Sequence, residues 1–317
     1  MKLIAPDYFG KFKCLADKCT HTCCKGWEID IDSETMSFYE TVEGELGERM
    51  KKGIEKDGFG VLHFVLDREE RCPFLNKTGL CDIYTELGEE SLCQICYDHP
   101  RFRDFYEDRT EIGLGLSCEA VGKLIFEREE KTALVVLDDD GIEEKVSEKT
   151  KEMYILRDKV FSAVQNRDKG IPERIADMLS LIGESYTPKS FEEQYELYSS
   201  LEKLSEERDE IYKKILTLCE DDVKEVFEEK ETALEQLLHY FVFRHMADGV
   251  DDGKYRERLL FCADSTYFVA SLCAAVKKEK GKLTLDDLVE CARLFSSEIE
   301  YSDLNMEELL KELRVES

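Results

Sequence analysis

The feature that most constrains this chain is a dense group of cysteines near its beginning. Within F-K-C-L-A-D-K-C-T-H-T-C-C-K-G-W, four cysteines occupy eleven positions, and five more follow before residue 120. The nine are Cys14, Cys19, Cys23, Cys24, Cys72, Cys81, Cys93, Cys96 and Cys118. A chain gathers thiols this densely to form disulfides or to hold a metal ion or iron–sulfur centre. Because Cys93 and Cys96 have the spacing with which two thiolates bind one metal, the pattern favours a thiolate-bound centre without identifying it.

The rest of the chain favours metal over disulfides. With 42% hydrophobic residues, the chain can form an ordinary core without covalent crosslinks. Pro6 and Asp7 interrupt the N-terminus too early for the apolar region of a signal peptide. No apolar run reaches the roughly 18 residues of a membrane span. We therefore expect a cytoplasmic protein, and in that reducing compartment clustered cysteines indicate metal binding.

The net charge limits the kinds of partner. The formal charge is −28 and the sequence pI is about 4.6. Without a basic stripe to neutralise phosphates, nucleic acid is not an expected partner, and neither is a membrane. A lysine-bearing protein would be attracted to the acidic surface.

The pattern of apolar residues predicts a mainly α fold in two domains. Residues 1–140 are predicted to form a small cysteine-rich α+β domain, and residues 141–317 an all-helical domain. Helices are predicted over Ser33–Lys52, Asp82–Leu87, Glu90–Tyr97 and Cys118–Arg128, with Ser117 as the N-cap of the last. Strands are predicted over Trp27–Asp32, Val61–Leu66, Arg103–Tyr106, Thr110–Leu116 and Thr132–Leu137. A turn at Asn76–Gly79 is predicted to bring Cys72 and Cys81 together.

The remaining four cysteines have a different setting. Cys219, Cys262, Cys273 and Cys291 are isolated in the helical half and flanked by apolar residues. We interpret them as small buried core side chains. In the first group, Cys23 and Cys24 are adjacent and are expected to point apart, so that only one of them serves a given centre.

In their order, the motifs of the first half resemble a known family. The motifs are C-x4-C-x3-C-C-x2-W-x-I-D-I-D, C-P-F-L-N-x2-G-L-C-D-I, L-G-E-x3-L-C-x2-C-x-D-H-P-R and L-S-C-E-A, and they run from Cys14 to about Ala120. Together they resemble the flagellin lysine-N-methylases of the wider CxxCxxCC group, which is described as zinc- or iron-chelating. The first spacing here is looser than the C-x2-C-x2-C-C of that group. Residues 130–317 are covered only loosely.

The resemblance implies both a cofactor and a reaction. It implies an iron–sulfur cluster of the 4Fe–4S type, held by cysteines of the nine, with zinc as the alternative metal. It also implies methyl transfer from S-adenosylmethionine to lysines of flagellin or of another lysine-bearing protein. The alternative function is a non-enzymatic zinc- or iron-chelating protein for metal handling or protein interaction.

Few other residues suggest roles in such a reaction. Glu111–Ser117 contains G-L-G, but no alternating β/α pattern surrounds it, so we interpret these as hairpin glycines rather than a nucleotide-binding loop. His99 is a candidate base or ligand, and Arg101 is a candidate partner for the cofactor's carboxylate. A helix end with an ordinary buried polar pair is the other interpretation of both. Trp27 is predicted to cover the cofactor loop. His239 and Arg244 are interpreted mainly as structural.

Overall fold

The protein is described here from a computed structural model of the chain, which describes residues 1–142 and 144–315. Within these residues there are six strands: β1 Lys2–Pro6, β2 Ile54–Lys56, β3 Leu62–Phe64, β4 Arg101–Phe105, β5 Arg109–Leu114 and β6 Leu134–Asp139. The α-helices are α1 Ser33–Tyr39, α2 Gly44–Gly53, α3 Asp82–Leu87, α4 Gln94–Asp98, α5 Glu119–Phe126, α6 Glu148–Val164, α7 Ile171–Ser180, α8 Phe191–Ser200, α9 Arg208–Lys213, α10 Glu220–Glu229, α11 Glu231–His245, α12 Gly249–Asp252, α13 Tyr255–Lys280, α14 Leu285–Phe295 and α15 Asp303–Val315. The predicted mainly α fold is confirmed.

The chain divides into two compact units. We call Lys13–Phe102 the cysteine-rich unit, and Met1–Phe12 together with Arg103–Ser317 the helical unit. The first twelve residues therefore belong with the second half of the chain, because β1 pairs with β5 and β6. The domain boundary predicted at residue 140 coincides with neither transition between the units, and it stays a prediction.

The helical unit contains a four-stranded sheet in the order β4-β5-β1-β6. β1 is parallel to β5 and antiparallel to β6, with an irregular register between Leu3 and Ile4. In the same unit, α11 and the greater part of α13 are buried. α13 is long and apolar enough to cross a membrane by length and composition, although the sequence suggested no such segment. Since 89% of its apolar window is buried within the protein, it packs as a core helix.

The cysteine-rich unit contains short elements joined by long loops. α2 is its longest helix, with ten residues, and β2 and β3 form a two-stranded hairpin of three residues each. The buried core includes Tyr39, Phe64 and Phe74, and also Cys72 and Cys93. A unit with so little regular structure gains few main-chain hydrogen bonds and little apolar burial, so a bound metal would contribute strongly to its stability.

Several predicted elements are confirmed, and others are wrong in detail. α3 occupies the predicted residues, and a turn closes at Asn76 as predicted. The helix predicted over Ser33–Lys52 is two helices, because the chain turns between them and Gly44 adopts a φ of +78°. Trp27–Asp32 forms only an isolated bridge at Asp30 rather than a strand. Cys118, not Ser117, is the N-cap of α5.

The isolated cysteines of the helical unit are partly as predicted. Cys262, Cys273 and Cys291 are buried core side chains. Cys219 is exposed, which corrects the prediction, because it takes the N-cap position of α10. The side chains of Cys273 and Cys291 hydrogen-bond each other between α13 and α14.

Candidate metal centre

Asp32 holds the N-termini of two helices of the cysteine-rich unit, α1 and α4. As the N-cap of α1, its Oδ1 accepts a hydrogen bond from the Thr35 N–H at 2.8 Å. Its Oδ2 also accepts one from the Gln94 N–H at 2.9 Å, at the first residue of α4. Burial acts to raise the pKa of this carboxyl, but the hydrogen bonds from Gln94 and Thr35 lower it overall. One carboxylate therefore holds the beginning of both helices, and Cys93 lies at the N-cap of α4.

The Asn76 turn brings two further cysteines into the same unit of structure. Asn76 Oδ1 accepts from the N–H groups of Thr78 and Leu80, at 2.9 and 3.1 Å. This closed turn allows Leu75 to form a bridge with Cys81. On its other side, the Cys72 N–H donates to the Cys24 carbonyl at 2.9 Å. The prediction that this turn brings Cys72 and Cys81 together is confirmed, because Leu75 bridges Cys81 while its N–H donates to the Cys72 carbonyl at 3.1 Å. The charge of Cys81 is also among those that raise the pKa of Cys72.

Five thiols influence one another's ionisation. Burial first, and then repulsion from Cys24, Cys81 and Cys93, raises the pKa of Cys72 to about 12. Burial also raises the pKa of Cys81, with Cys24 among its charged neighbours. A hydrogen bond shared with Cys93, then burial, and then the charges of Cys93, Cys24 and Cys72 raise the pKa of Cys96. We call the five residues the five-thiol cluster: Cys24, Cys72, Cys81, Cys93 and Cys96.

Two members of the five-thiol cluster favour the thiolate form. A hydrogen bond from the Cys23 side chain outweighs burial and lowers the pKa of Cys24 to about 7. The hydrogen bond shared with Cys96 lowers the pKa of Cys93. Since Cys23 and Cys24 hydrogen-bond each other through their side chains, the expectation that they point apart is wrong.

Cysteine thiols are the type of donor that holds a thiolate-bound metal or an iron–sulfur cluster. Iron–sulfur clusters and structural zinc are both held by up to four cysteine thiolates, and the five-thiol cluster provides one more. The surrounding wall is apolar, with Ile29, Phe74 and Ile83 buried. Tyr39 is buried in the same core, and its hydroxyl donates to the Ser91 carbonyl at 2.8 Å. Several thiols that are buried among apolar side chains can all ionise only when a cation compensates their charge.

The other four predicted ligands are not members of the five-thiol cluster, although Cys23 adjoins it through its side-chain hydrogen bond with Cys24. Cys14 and Cys23 are exposed and Cys19 is partly buried. Cys14 Sγ accepts from the Ala16 N–H at 3.3 Å, and Cys19 Sγ donates to the His21 carbonyl at 3.2 Å. Cys118 belongs to the helical unit, at the start of α5. Their role as metal ligands stays a prediction.

Trp27, His99 and Arg101 lie in the same unit as the five-thiol cluster. Trp27 packs against the core that contains it and donates from Nε1 to the Cys23 carbonyl. The rings of Trp27 and His99 are 6.0 Å apart. Burial, and secondarily the Arg101 charge, lowers the pKa of His99 to about 4, so the imidazole is neutral at pH 7. Arg101 donates to the Tyr97 carbonyl at 2.8 Å and lies over the Tyr97 ring.

The helical unit contains a buried polar network that the sequence did not reveal. A π-helix at Ser296–Glu300 places Glu300 beside α11. The carboxylate contacts His245 Nε2 at 2.6 Å and accepts from the Tyr240 hydroxyl at 2.9 Å, and Arg244 Nη1 donates to that hydroxyl at 2.7 Å. Burial acts to raise the pKa of Glu300, but Arg244 and His245 lower it to about 2. Arg244 is thus part of a charged network, and no local motif in the sequence signals the π-helix that completes it.

Two family models match this chain. Residues 109–317 match the FliB lysine N-methylase C-terminal domain, which is more than half of the chain. The chain belongs to the FliB lysine N-methylase family. Residues 13–113 match the CxxCxxCC domain, described as zinc- or iron-chelating, and this range includes all five members of the five-thiol cluster. The resemblance found in the cysteine motifs is therefore confirmed, and it extends over the helical unit.

Curated relatives of this FliB-family chain come from Salmonella. A lysine-N-methylase of Salmonella typhimurium is 28% identical over 137 residues, which is 41% of this chain and 33% of that protein. The flagellar biosynthetic protein FliU of Salmonella muenchen is 28% identical over 137 residues, or 79% of its length. The matched segment thus spans about a third of the length of the lysine-N-methylases. No solved structure matches the chain.

Proposed function

We propose that this protein is an S-adenosylmethionine-dependent protein-lysine N-methyltransferase that acts on flagellin, with an iron–sulfur cluster of the 4Fe–4S type bound by its cysteines. The observation that carries the reaction is the match of residues 109–317 to the FliB lysine N-methylase C-terminal domain. The names of the relatives, one a lysine-N-methylase and one a flagellar biosynthetic protein, support a protein substrate of the flagellum.

The five-thiol cluster supports the proposed cofactor. Four of these thiolates would suffice for a fully ligated cluster, and three would leave one iron open to another ligand. When bound, such a cluster can serve as a structural crosslink or as a Lewis-acid site for the amino-acid end of S-adenosylmethionine. Because Cys72 and Cys81 have raised pKa values, their ionisation depends on a bound cation. The same donors suit zinc, which is the alternative metal.

The protein's own task in methyl transfer is to deprotonate and position an amine. A lysine amine attacks a sulfonium methyl only when neutral, while its ordinary pKa is about 10.4. A positioned base and an in-line arrangement of nucleophile and methyl supply most of the acceleration. We propose that Arg101 pairs with the carboxylate of S-adenosylmethionine and that Trp27 covers it. His99 is a proposed proton acceptor, although a pKa of about 4 makes it a weak base at neutral pH.

The expected partner and compartment follow from charge and chemistry. A net charge of −28 attracts a lysine-bearing substrate and does not favour nucleic acid or an anionic membrane surface. We propose a cytoplasmic location, where thiolates stay reduced and S-adenosylmethionine is available.

Two measurements test the proposal. Anaerobically purified protein should be brown, with a broad absorbance at about 400 nm from thiolate-bound iron. Purified flagellin incubated with this protein and S-adenosylmethionine should gain methyl-sized mass increments by intact-mass spectrometry. Flagellin with acetylated lysines is the control and should gain none.

The two measurements test the cofactor and the reaction independently. Colourless protein with stoichiometric zinc that still methylates flagellin would overturn the iron–sulfur cofactor alone. Fully loaded protein that adds no methyl group to flagellin would overturn the reaction, and a metal-handling or binding role would then be favoured.

A further inference from the structure

Asp104 is a partly buried carboxylate of the helical unit that forms no ion pair among the described residues. Other carboxylates in the interior of this unit have a cationic partner: Glu111 with Arg157, Glu119 with Lys123, Glu235 with Arg174, Asp264 with Lys189, and Glu300 with Arg244. Glu298 also has one oxygen without a hydrogen bond, but its other oxygen accepts from the Leu204 N–H at 2.9 Å and lies 3.8 Å from Arg208. Asp104 lies on the edge strand β4, and its Oδ2 is buried without a hydrogen-bond partner among the described residues. Buried carboxylate oxygens are normally satisfied, so an oxygen on a carboxylate with neither a hydrogen bond nor an ion pair requires an explanation.

The charged groups around Asp104 leave it uncompensated. The negative charges of Asp248, which follows α11, and of Glu111 on β5 act to raise its pKa. The positive charges of Arg157 on α6 and Arg244 on α11 act to lower it. Both arginines are engaged elsewhere. Arg157 forms two hydrogen bonds with Glu111, at 2.8 and 2.6 Å, and Arg244 contacts Tyr240 and Glu300. A cation supplied from outside the chain would complete the set.

We propose that Asp104 binds the ε-ammonium group of the substrate lysine and accepts its proton. This inference rests on the proposed function, because it assigns the lysine proton in that reaction to Asp104 in place of His99, whose pKa of about 4 makes it the weaker base. One proton moves from the lysine nitrogen to Oδ2 of Asp104. The neutral amine then attacks the sulfonium methyl, a new N–C bond forms, and the C–S pair returns to sulfur. The Asp104 proton passes to solvent after the product leaves.

The titration of Asp104 suits this role. Burial, and then the charges of Asp248 and Glu111, raises its pKa to about 7, against the partial opposition of Arg157 and Arg244. A general base works best when its pKa lies near the operating pH. Burial of the lysine beside the guanidiniums of Arg157 and Arg244 would lower the amine's pKa toward that of the base.

The test compares Asp104→Asn with a matched change in the same hairpin. Glu107→Gln is the control, because Glu107 is an exposed carboxylate whose contacts are with Ser147 and Thr150. We expect Asp104→Asn to lower kcat/KM for flagellin by roughly 100-fold or more. In the parent protein the rate should rise with pH through about 7 as Asp104 ionises, and the variant should lose this dependence. Asp104→Glu should keep it.

A binding measurement separates this inference from the proposed function. The parent protein should bind a single-lysine flagellin peptide more tightly than the same peptide with acetyl-lysine, and Asp104→Asn should abolish the preference. This result can be obtained even if no methyl transfer occurs, in which case the proposed function fails and the ammonium site stands. Equal rates, or an equal preference for lysine, in parent and Asp104→Asn would overturn the ammonium site. So would a large loss of thermal stability in the variant, since that indicates a structural carboxylate.

Discussion

The two compact units hold their buried polar groups in different ways. In the helical unit, carboxylates are paired with arginine or lysine at fixed distances, as with Glu111 and Arg157 or Glu235 and Arg174. In the cysteine-rich unit, the buried polar groups are mostly thiols, and the described contacts include no cation beside the five-thiol cluster. The first unit contains its own counter-charges, whereas we expect the second to obtain a counter-charge from a bound metal when its thiols ionise.

This difference has a consequence for stability. Ion pairs in the helical unit form on folding and need no further component, so that unit should be stable in metal-free buffer. The short helices and loops of the cysteine-rich unit should depend on the ligand that the thiols bind. Metal removal and single substitutions should therefore affect the two units unequally.

The largest expected effect comes from Cys93→Ser. Cys93 is buried at the start of α4 and hydrogen-bonds Cys96, so its loss removes a donor from the centre of the cluster. Metal binding to cysteine sites contributes on the order of 10 kcal/mol to folding. We expect loss of bound metal and rapid proteolysis within residues 13–102, with residues 103–315 still protected. Metal analysis and limited proteolysis with mass mapping measure both.

The control for this prediction is Cys219→Ser. Cys219 is exposed at the N-cap of α10, where a serine can keep the cap, so metal content should not change. Cys14→Ser sharpens the comparison further, because Cys14 is exposed on the first loop. Metal loss in Cys14→Ser equal to that in Cys93→Ser would show that the five-thiol cluster is not the complete ligand set.

A smaller effect is expected for Arg157→Ala in the helical unit. Removing one partner of a buried ion pair costs about 3–5 kcal/mol, because the other charge stays buried. Arg109 Nη2 also contacts Glu111, at 2.7 Å, so we expect the lower end of that range, about 3 kcal/mol. Urea denaturation should show the loss, and metal content should be unchanged.

An exposed ion pair on the same helix tests whether burial causes the loss of stability expected for Arg157→Ala. Lys151 contacts Glu148 at 2.8 Å on α6, with both side chains largely exposed. Lys151→Ala should cost no more than about 0.5 kcal/mol. Equal losses in Lys151→Ala and Arg157→Ala would contradict the view that the cost comes from leaving a buried charge without its partner.

The sequence predicted what depends on local pattern. The cysteine motifs predicted the family, and the apolar periodicity predicted that the second half of the chain is helical. The Asn76 turn was predictable because asparagine and glycine have strong local preferences, and Gly79 indeed has a φ of +81°. The two-helix break at Gly44 was missed, because helical spacing of apolar residues continues across it.

What the sequence could not predict depends on contacts between distant residues. Which of the nine cysteines share an environment is set by folding, and residues as far apart as Cys24 and Cys96 sense each other's charge. The Glu300 network joins α11 to a π-helix more than fifty residues away, and neither end has a local signature. Asp104 is noticeable only because the partners of other buried carboxylates can be seen. Such groups can be recognised only once the structure is known.

Asp32→Ala is expected to affect stability less than Arg157→Ala does, and it distinguishes a helix cap from a helix cap that also orders a metal site. Asp32 caps α1 and also accepts from the Gln94 N–H beside Cys93, whereas Ser190 caps α8 with no such second link. Each change to alanine should cost about 1 kcal/mol. Only Asp32→Ala should also weaken metal binding, by roughly 10-fold or more, because an outer residue that orients a ligand is lost. Since the folded pKa of Asp32 is lowered, its contribution is present above the ordinary pKa of about 3.9 and is lost as pH falls below it. Competition with a chelator at pH 7 measures the affinities, and equal affinities for Asp32→Ala and Ser190→Ala would mean that the N-terminus of α4 is positioned by the thiols alone.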